Sequence, residues 1–76
     1  MTNNLRRVRL EKGLAMWGLA VKAKVSTATL TGIEKWDYMP KQSTRERIAS
    51  ALQVSPGDIW PSIEKTDQVQ TQEDGL

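Results

Sequence analysis

The 76-residue sequence contains no cysteine, no histidine and no phenylalanine. Without cysteine and histidine the chain has no disulfides, thiol nucleophiles or imidazole bases, and it lacks the usual ligands of zinc. An enzyme built from it would depend on scattered carboxylates and lysines, and a chain this short encloses too little interior for a large active-site cleft. We therefore expect no catalytic site, no metal and no cofactor.

Long hydrophobic runs are also absent from the sequence. No apolar stretch approaches the roughly 18 residues that cross a membrane. Residues 1–13 lack the apolar core of a signal peptide. We expect a soluble, cytoplasmic protein without a membrane partner.

Acidic residues are scarce over residues 1–60, where five of them stand against ten lysines and arginines and leave a net charge of +5. Residues 61–76 carry a net charge of −3 instead. From residue 62 the sequence is polar and aperiodic, with too little apolar surface to offset its ordering entropy. We predict a domain over residues 1–61 and a disordered acidic tail over residues 62–76. The basic domain suits a nucleic-acid partner, although such a charge surplus also occurs without one.

Apolar residues that recur at spacings of three and four predict an all-α domain of five short helices. The first helix contains Leu5 and Val8, and we expect it to end at Gly13, because glycine adopts the left-handed conformation of a helix C-cap at low cost. The second helix lies near residues 16–23. Gly18 in its interior costs about 1 kcal/mol relative to alanine, so either packing requires this glycine or the helix is weak there.

The third helix is predicted to run from a Ser26 N-cap to Lys35, with a loop after it. Lys24 lies in the preceding turn, where a left-handed residue is needed. Leu30 and Ile33 would face the core, so the second and third helices have the geometry of a helix-turn-helix. Four residues of the third helix are then left facing outward: Thr27, Ala28, Thr31 and Gly32.

Two further helices are predicted from their N-terminal signals. Ser43 and Glu46 have the spacing of a capping box, in which each side chain accepts the other residue's backbone N–H at the start of the fourth helix. Ser55 is the predicted cap of a short fifth helix, with Pro56 at its first position. Pro61 would end it.

In this order and spacing, the sequence resembles the Cro/repressor-type helix-turn-helix family, also called the Xre family. The resemblance covers residues 5–60, and its elements are L-R-x-x-R-x-x-K-G-L at 5–14, L-A at 19–20, V-S at 25–26, I-E at 33–34 and I-A-x-A-L-x-V-S at 48–55. It implies a lambda-repressor-like fold of five short helices, with the helix-turn-helix formed by the second and third.

The resemblance also implies a function, which is sequence-specific binding to double-stranded DNA as a transcriptional regulator. The third helix would lie in the major groove, and a dimer would bind two half-sites about one helical turn apart. The residues near bases would be Thr27, Ala28, Thr31 and Gly32. Those near phosphates would be Met16, Lys24, Thr29, Lys35 and Lys41. Arg9 and Glu34 correspond to a structural ion pair, and the residues at a possible dimer surface are Ile59, Trp60 and Pro61.

The sequence departs from the family pattern at several of these positions. Met16 replaces a usual glutamine, which removes a polar contact, and Lys24 and Trp36 stand where glycine is common. None of the four base-proximal side chains can make a bidentate contact with a base. Sequence recognition would therefore be modest, or would depend on thymine methyl groups, water and DNA shape.

Several alternatives remain open from the sequence. Four large hydrophobic residues either bind a protein partner or a second subunit, or pack together and enlarge a small core: Trp17, Trp36, Tyr38 and Met39. Trp60 either fills the core or pairs subunits, and Arg45 either contacts phosphate or is simply solvated. The protein could also bind a protein as well as DNA, as an antitoxin-like or phage-type regulator. It could instead be a helical protein-interaction module that has lost DNA binding.

Overall fold

A computed structural model describes residues 3–61 of the chain, and these residues form five helices without any strand. The helices are α1 (Leu5–Glu11), α2 (Met16–Ala23), α3 (Thr27–Trp36), α4 (Gln42–Leu52) and α5 (Pro56–Ile59). The predicted all-α class with five short helices is confirmed. The predicted acidic tail, residues 62–76, lies outside the described residues.

The five helices share one hydrophobic core. α2 packs against both α3 and α4, while α1 packs on α3 and α5 packs on α4. The buried hydrophobic residues of this core are Leu5, Val8, Leu19, Ala20, Ala23, Leu30, Ile33, Ile48, Ala49, Ala51, Leu52, Ile59 and Trp60. None of the helices within residues 3–61 is long and apolar enough to cross a membrane.

The ends of α1 and α2 and the start of α3 follow the predictions from the sequence. Gly13 has a φ of 72° after α1, and Lys24 has a φ of 60° after α2, so both are left-handed. The Ser26 hydroxyl caps α3 by accepting the backbone N–H of Thr29 at 3.0 Å. A Cβ added at Gly18 would meet nothing within 4 Å, so packing does not require this glycine.

The end of α3 differs from the prediction. The helix continues through Trp36, and Asp37 takes the left-handed conformation with a φ of 58°. Aspartate tolerates this conformation better than most residues. Its carboxylate also accepts a hydrogen bond of 2.8 Å from the side-chain amide of Asn3. Trp36 is consequently a helical residue and not the first residue of a loop.

The capping box predicted at Ser43 and Glu46 is wrong, because α4 begins two residues earlier than it requires, at Gln42, with Lys41 at the N-cap. The Glu46 carboxylate accepts a hydrogen bond of 3.1 Å from the Gln42 side chain, one turn before it. A capping box does form at the start of α5, between Ser55 and Asp58. There the Asp58 carboxylate accepts the backbone N–H of Ser55 at 3.1 Å.

Candidate nucleic-acid interface

The inward side of α3 is fixed by apolar packing and by one buried ion pair. Leu30 and Ile33 are fully buried. Beside them, Arg9 of α1 donates two hydrogen bonds to the Glu34 carboxylate, from Nε at 2.7 Å and from Nη2 at 3.1 Å. Arg9 Nη1 also donates to the carbonyl oxygen of Leu14 at 2.8 Å. One guanidinium therefore joins α1, the loop that follows it and α3.

The Arg9 and Glu34 side chains are only 10% and 4% exposed. The hydrogen bond to Glu34 raises the pKa of Arg9 above its ordinary value; burial opposes this rise, and attraction to the Glu34 charge adds to it. The guanidinium is consequently charged at every pH at which the protein would be studied. The pair has no access to a substrate, so its geometry fits a structural role.

The outward side of α3 carries small side chains. Thr27 and Ala28 are exposed, while Thr31 and Gly32 are half-buried. A Cβ added at Gly32 would meet Tyr38 Cβ at 3.6 Å, which is an ordinary van der Waals distance. The four predicted base-proximal residues therefore share one accessible helix surface, which Met16 borders at Thr31 and Tyr38 borders at Gly32.

Met16, which was predicted near a phosphate, contacts α3 instead. The residue is half-buried against the core, and its Sδ accepts a hydrogen bond from the Thr31 hydroxyl at 3.2 Å. A thioether is a weak acceptor and has no donor, so this side chain cannot donate to a phosphate. The backbone N–H of Met16 remains a possible donor, because it is at the first position of α2 and the N-cap residue, Ala15, makes no side-chain hydrogen bond.

The other four residues predicted near phosphates lie around the ends of α3. Lys24, Lys35 and Lys41 are exposed, at the C-cap of α2, in the last turn of α3 and at the N-cap of α4. Thr29 is half-buried, and its hydroxyl lies 2.9 Å from the Ser26 hydroxyl. Thr29 therefore takes part in the cap of α3, whereas the three lysines extend into solvent.

The structure separates two arginines of α4. Arg45 is buried, and its Nη1 donates to the carbonyl oxygen of Pro40 at 2.7 Å. The alternative that placed Arg45 on phosphate or in solvent is therefore wrong, because its guanidinium holds the loop before α4. Arg47, which was missed from the sequence, is exposed and lines two open grooves, one beside Lys41 and one beside Lys24. These three cations, which we call the basic edge, lie at the C-cap of α2, at the N-cap of α4 and within α4.

The large hydrophobic residues outside the core do not enlarge it. Trp17, Trp36 and Tyr38 are 68%, 77% and 54% exposed, and Met39 is also exposed. Because these four side chains are exposed, the alternative in which they pack together and enlarge the core is wrong. Trp17 projects from α2 with the exposed Val21 one turn later. Trp36 and Tyr38 lie instead at the end of α3.

The predicted dimer surface is wrong for two of its three residues. Ile59 and Trp60 are fully buried, so their side chains cannot form an external contact, and Trp60 fills the core as its alternative role required. Pro61 is exposed. The Trp60 indole N–H is buried and has no hydrogen-bond partner among residues 3–61.

The accessible helix surface and the basic edge beside it suit a polyanion with a groove. No group of three or more acidic side chains within residues 3–61 is placed to hold a metal ion. A family model described as helix-turn-helix matches residues 5–59, a range that contains all five helices. None of the curated proteins matches the chain.

Proposed function

Because the chain belongs to the Cro/repressor-type helix-turn-helix family of DNA-binding regulators, we propose that it recognises particular sequences in double-stranded DNA and regulates transcription. The observation that carries this proposal is the outward side of α3, where Thr27 and Ala28 are exposed and the half-buried Thr31 and Gly32 are also small. A regulator of this kind acts where the DNA is, and we propose a cytoplasmic location.

The shape of α3 supports its insertion into the major groove. That groove is about 12 Å wide and admits an α-helix. Thr27 and Ala28 occupy the first turn of α3, and Gly32 follows one turn after Ala28. Small side chains at these positions let the helix backbone approach the base edges. The methyl groups of Thr27 and Ala28 would contact thymine methyl groups, which are the apolar feature of the major groove.

The charges around α3 support contacts with the DNA backbone. Lys24, Lys41 and Arg47 form the basic edge on the α4 side, and Lys35 is exposed in the last turn of α3 itself. The backbone N–H of Met16 adds a neutral donor at the start of α2. Contacts of this type position a protein on DNA without reading its sequence.

A dimer on two half-sites about one helical turn apart is the arrangement typical of helix-turn-helix proteins, and we propose it here. Since Ile59 and Trp60 are buried, the contact between the subunits would have to use other residues. Pro61 is exposed beside them and would be part of it.

The experiment that tests DNA binding is a salt series with a fluorescently labelled random-sequence duplex, measured by anisotropy. If about four to six phosphates are neutralised per subunit, log affinity should fall with log salt at about 0.9 per contact. Arg47→Ala should reduce this slope by about one contact. The control is Arg7→Ala, because Arg7 is exposed on α1 and paired with Glu11. A flat salt dependence would exclude the proposed mode of binding.

The second candidate is a helical protein-interaction module that keeps the fold without binding DNA. The exposed Trp17 and Val21, one turn apart on α2, are the observation that favours it. Retention on random duplex at low salt separates the two candidates. A module of this kind would not be retained, whereas the proposed regulator would be.

A further inference from the structure

Trp36 is the most exposed large hydrophobic side chain within residues 3–61. It follows Ala28 by eight residues and Gly32 by four on α3, so these three residues lie along one side of the helix. The rise of the helix places Trp36 about 12 Å beyond Ala28 along the axis. The side of α3 proposed to enter DNA therefore begins with small residues and ends at an indole ring.

Tyr38 connects this side of α3 to the basic edge. Its backbone N–H donates to the carbonyl oxygen of Gly32 at 3.0 Å, and its Cβ lies 3.6 Å from the position of a Cβ built on Gly32. The same tyrosine lines the groove between α3 and α4 together with Lys41 and Arg47. Trp36 and Tyr38, which we call the aromatic shoulder, are thus continuous with both parts of the candidate interface.

The backbone that carries the aromatic shoulder is held by contacts from Asn3, which lies just before α1. Asp37, between the two aromatic residues, accepts a hydrogen bond of 2.8 Å from the buried side chain of Asn3. The same Asn3 amide donates to the carbonyl oxygen of Ile33 at 3.0 Å. A segment fixed in this way loses less conformational entropy when it binds a partner than a free loop does.

We propose that the aromatic shoulder contacts DNA beside α3, a role that rests on the proposed function. Lys41 shares the groove with Tyr38, and Lys35 is exposed in the last turn of α3, so the end of α3 that carries the aromatic shoulder also presents two cations that attract phosphates. The continuous negative charge of the DNA backbone matches these cations better than the mixed charges of an ordinary protein surface do. The rings contribute apolar contact with sugars and thymine methyl groups that the four small residues of α3 do not reach.

Trp17 is the internal control for this proposal. It is nearly as exposed as Trp36, but it lies on the outward side of α2 with Val21 as its exposed neighbour. Neither indole lines a groove of the basic edge, so the two tryptophans differ in their helix: Trp36 continues the side of α3 that carries Ala28 and Gly32, and Trp17 does not. Trp60, the third tryptophan, is fully buried. When one exposed tryptophan is replaced by phenylalanine, the other is therefore the only indole within reach of an aqueous quencher, because Trp60 is buried.

The test is acrylamide quenching of tryptophan fluorescence in Trp17→Phe and Trp36→Phe, each with and without a random-sequence duplex at low salt. In Trp17→Phe the remaining exposed indole is Trp36, and DNA should protect it from the quencher. In Trp36→Phe the remaining exposed indole is Trp17, and DNA should leave its quenching unchanged. In addition, Trp36→Ala should weaken DNA binding about tenfold, while Trp17→Ala should leave the affinity unaltered.

The possible results distinguish this proposal from the proposed function. If the duplex binds but Trp36 is quenched as readily as before, the aromatic shoulder does not contact DNA and only this inference fails. If no duplex is retained, both the inference and the proposed function fail. Protection of Trp36 without DNA that increases with protein concentration would assign the shoulder to a second copy of the chain and would also overturn the proposal. Because Trp17 and Trp36 are both exposed, the far-UV circular dichroism spectrum should show the same helix content for all four variants.

Discussion

The inward and outward sides of α3 differ in burial, in side-chain size and in their hydrogen bonds. On the inward side, Leu30 and Ile33 are buried and Glu34 forms two hydrogen bonds with Arg9. On the outward side, Thr27 and Ala28 are exposed and Gly32, the residue one turn after Ala28, has no side chain. Ten residues therefore support both the fold and the candidate interface, with the two tasks assigned to opposite sides of one helix.

This division means that stability and DNA binding should respond separately to substitutions in α3. A change on the inward side should alter the free energy of unfolding, and binding should fall only in proportion to the folded fraction. A change on the outward side should alter the affinity for DNA, while the free energy of unfolding should change only by the difference in helix propensity between the two residues. An outward substitution that loses affinity because it destabilises the fold would contradict the division.

The largest effect is expected from Glu34→Ala, which leaves the buried Arg9 guanidinium without its partner. Removal of one member of a buried ion pair costs about 3–5 kcal/mol, which is a large share of the stability of a domain this small. Glu11→Ala is the matched control, since it breaks the Arg7–Glu11 pair, whose side chains are both 59% exposed. That change should cost about 0.5 kcal/mol or less. Urea denaturation followed by circular dichroism measures both, and equal losses would show that burial of the pair does not matter.

The next effect concerns binding. Thr27→Glu places a carboxylate on the first turn of α3, where it would face the negative DNA backbone and bases, and like-charge contact of this kind costs several kcal/mol. We expect a loss of affinity of at least about tenfold, with an unchanged far-UV circular dichroism spectrum. Gln53→Glu adds the same charge at the exposed C-cap of α4 and should bind nearly as well as the parent protein. Unchanged affinity of Thr27→Glu would exclude this side of α3 as the interface.

The inward and outward sides of α3 were predictable from the sequence because apolar spacing alone determines them. Leu30 and Ile33 are three residues apart, which places them on one side of any helix that contains both. The helix start at Ser26 was equally clear, since a serine before a helix has an oxygen that satisfies a free N–H. The left-handed Lys24 followed from the tight turn between two predicted helices.

The start of α4 was not predictable by the same means, and the positions of two arginines depended on it. Ser43 and Glu46 match a capping box, but the contact between Gln42 and Glu46 stabilises a helix that begins earlier. Arg45 and Arg47 are two residues apart and chemically identical, so only the observed packing of α4 decides that the first is buried and the second is exposed. The local sequence also does not reveal that the Pro40 carbonyl accepts a hydrogen bond from Arg45, because this contact depends on the path of the loop before α4.

A smaller and more specific effect is expected at two glycines. Gly32→Ala and Gly18→Ala should each raise the free energy of unfolding by up to about 1 kcal/mol, because alanine is the better helix former and neither added Cβ meets an obstacle. Only Gly32→Ala should weaken DNA binding, since its methyl group would stand between the α3 backbone and the bases. Chemical denaturation and anisotropy on the same samples measure the two quantities. Equal affinities for the two variants would mean that the backbone at Gly32 does not approach DNA closely.

The smallest effect is expected where a cation and a strained backbone coincide. Lys24 and Gln53 both have a φ of 60° at a helix C-cap, a conformation that costs a residue with a side chain about 1 kcal/mol and costs glycine little. Lys24→Gly and Gln53→Gly should each stabilise the fold by about 0.5 kcal/mol, after the greater unfolded-state entropy of glycine is included. Lys24→Gly alone should also reduce the salt dependence of DNA binding by about 0.9 in slope. A smaller slope in Lys24→Gly would show that Lys24 contacts a phosphate, which would explain a lysine in this unfavourable conformation. An unchanged slope would leave the strain at Lys24 without a functional reason.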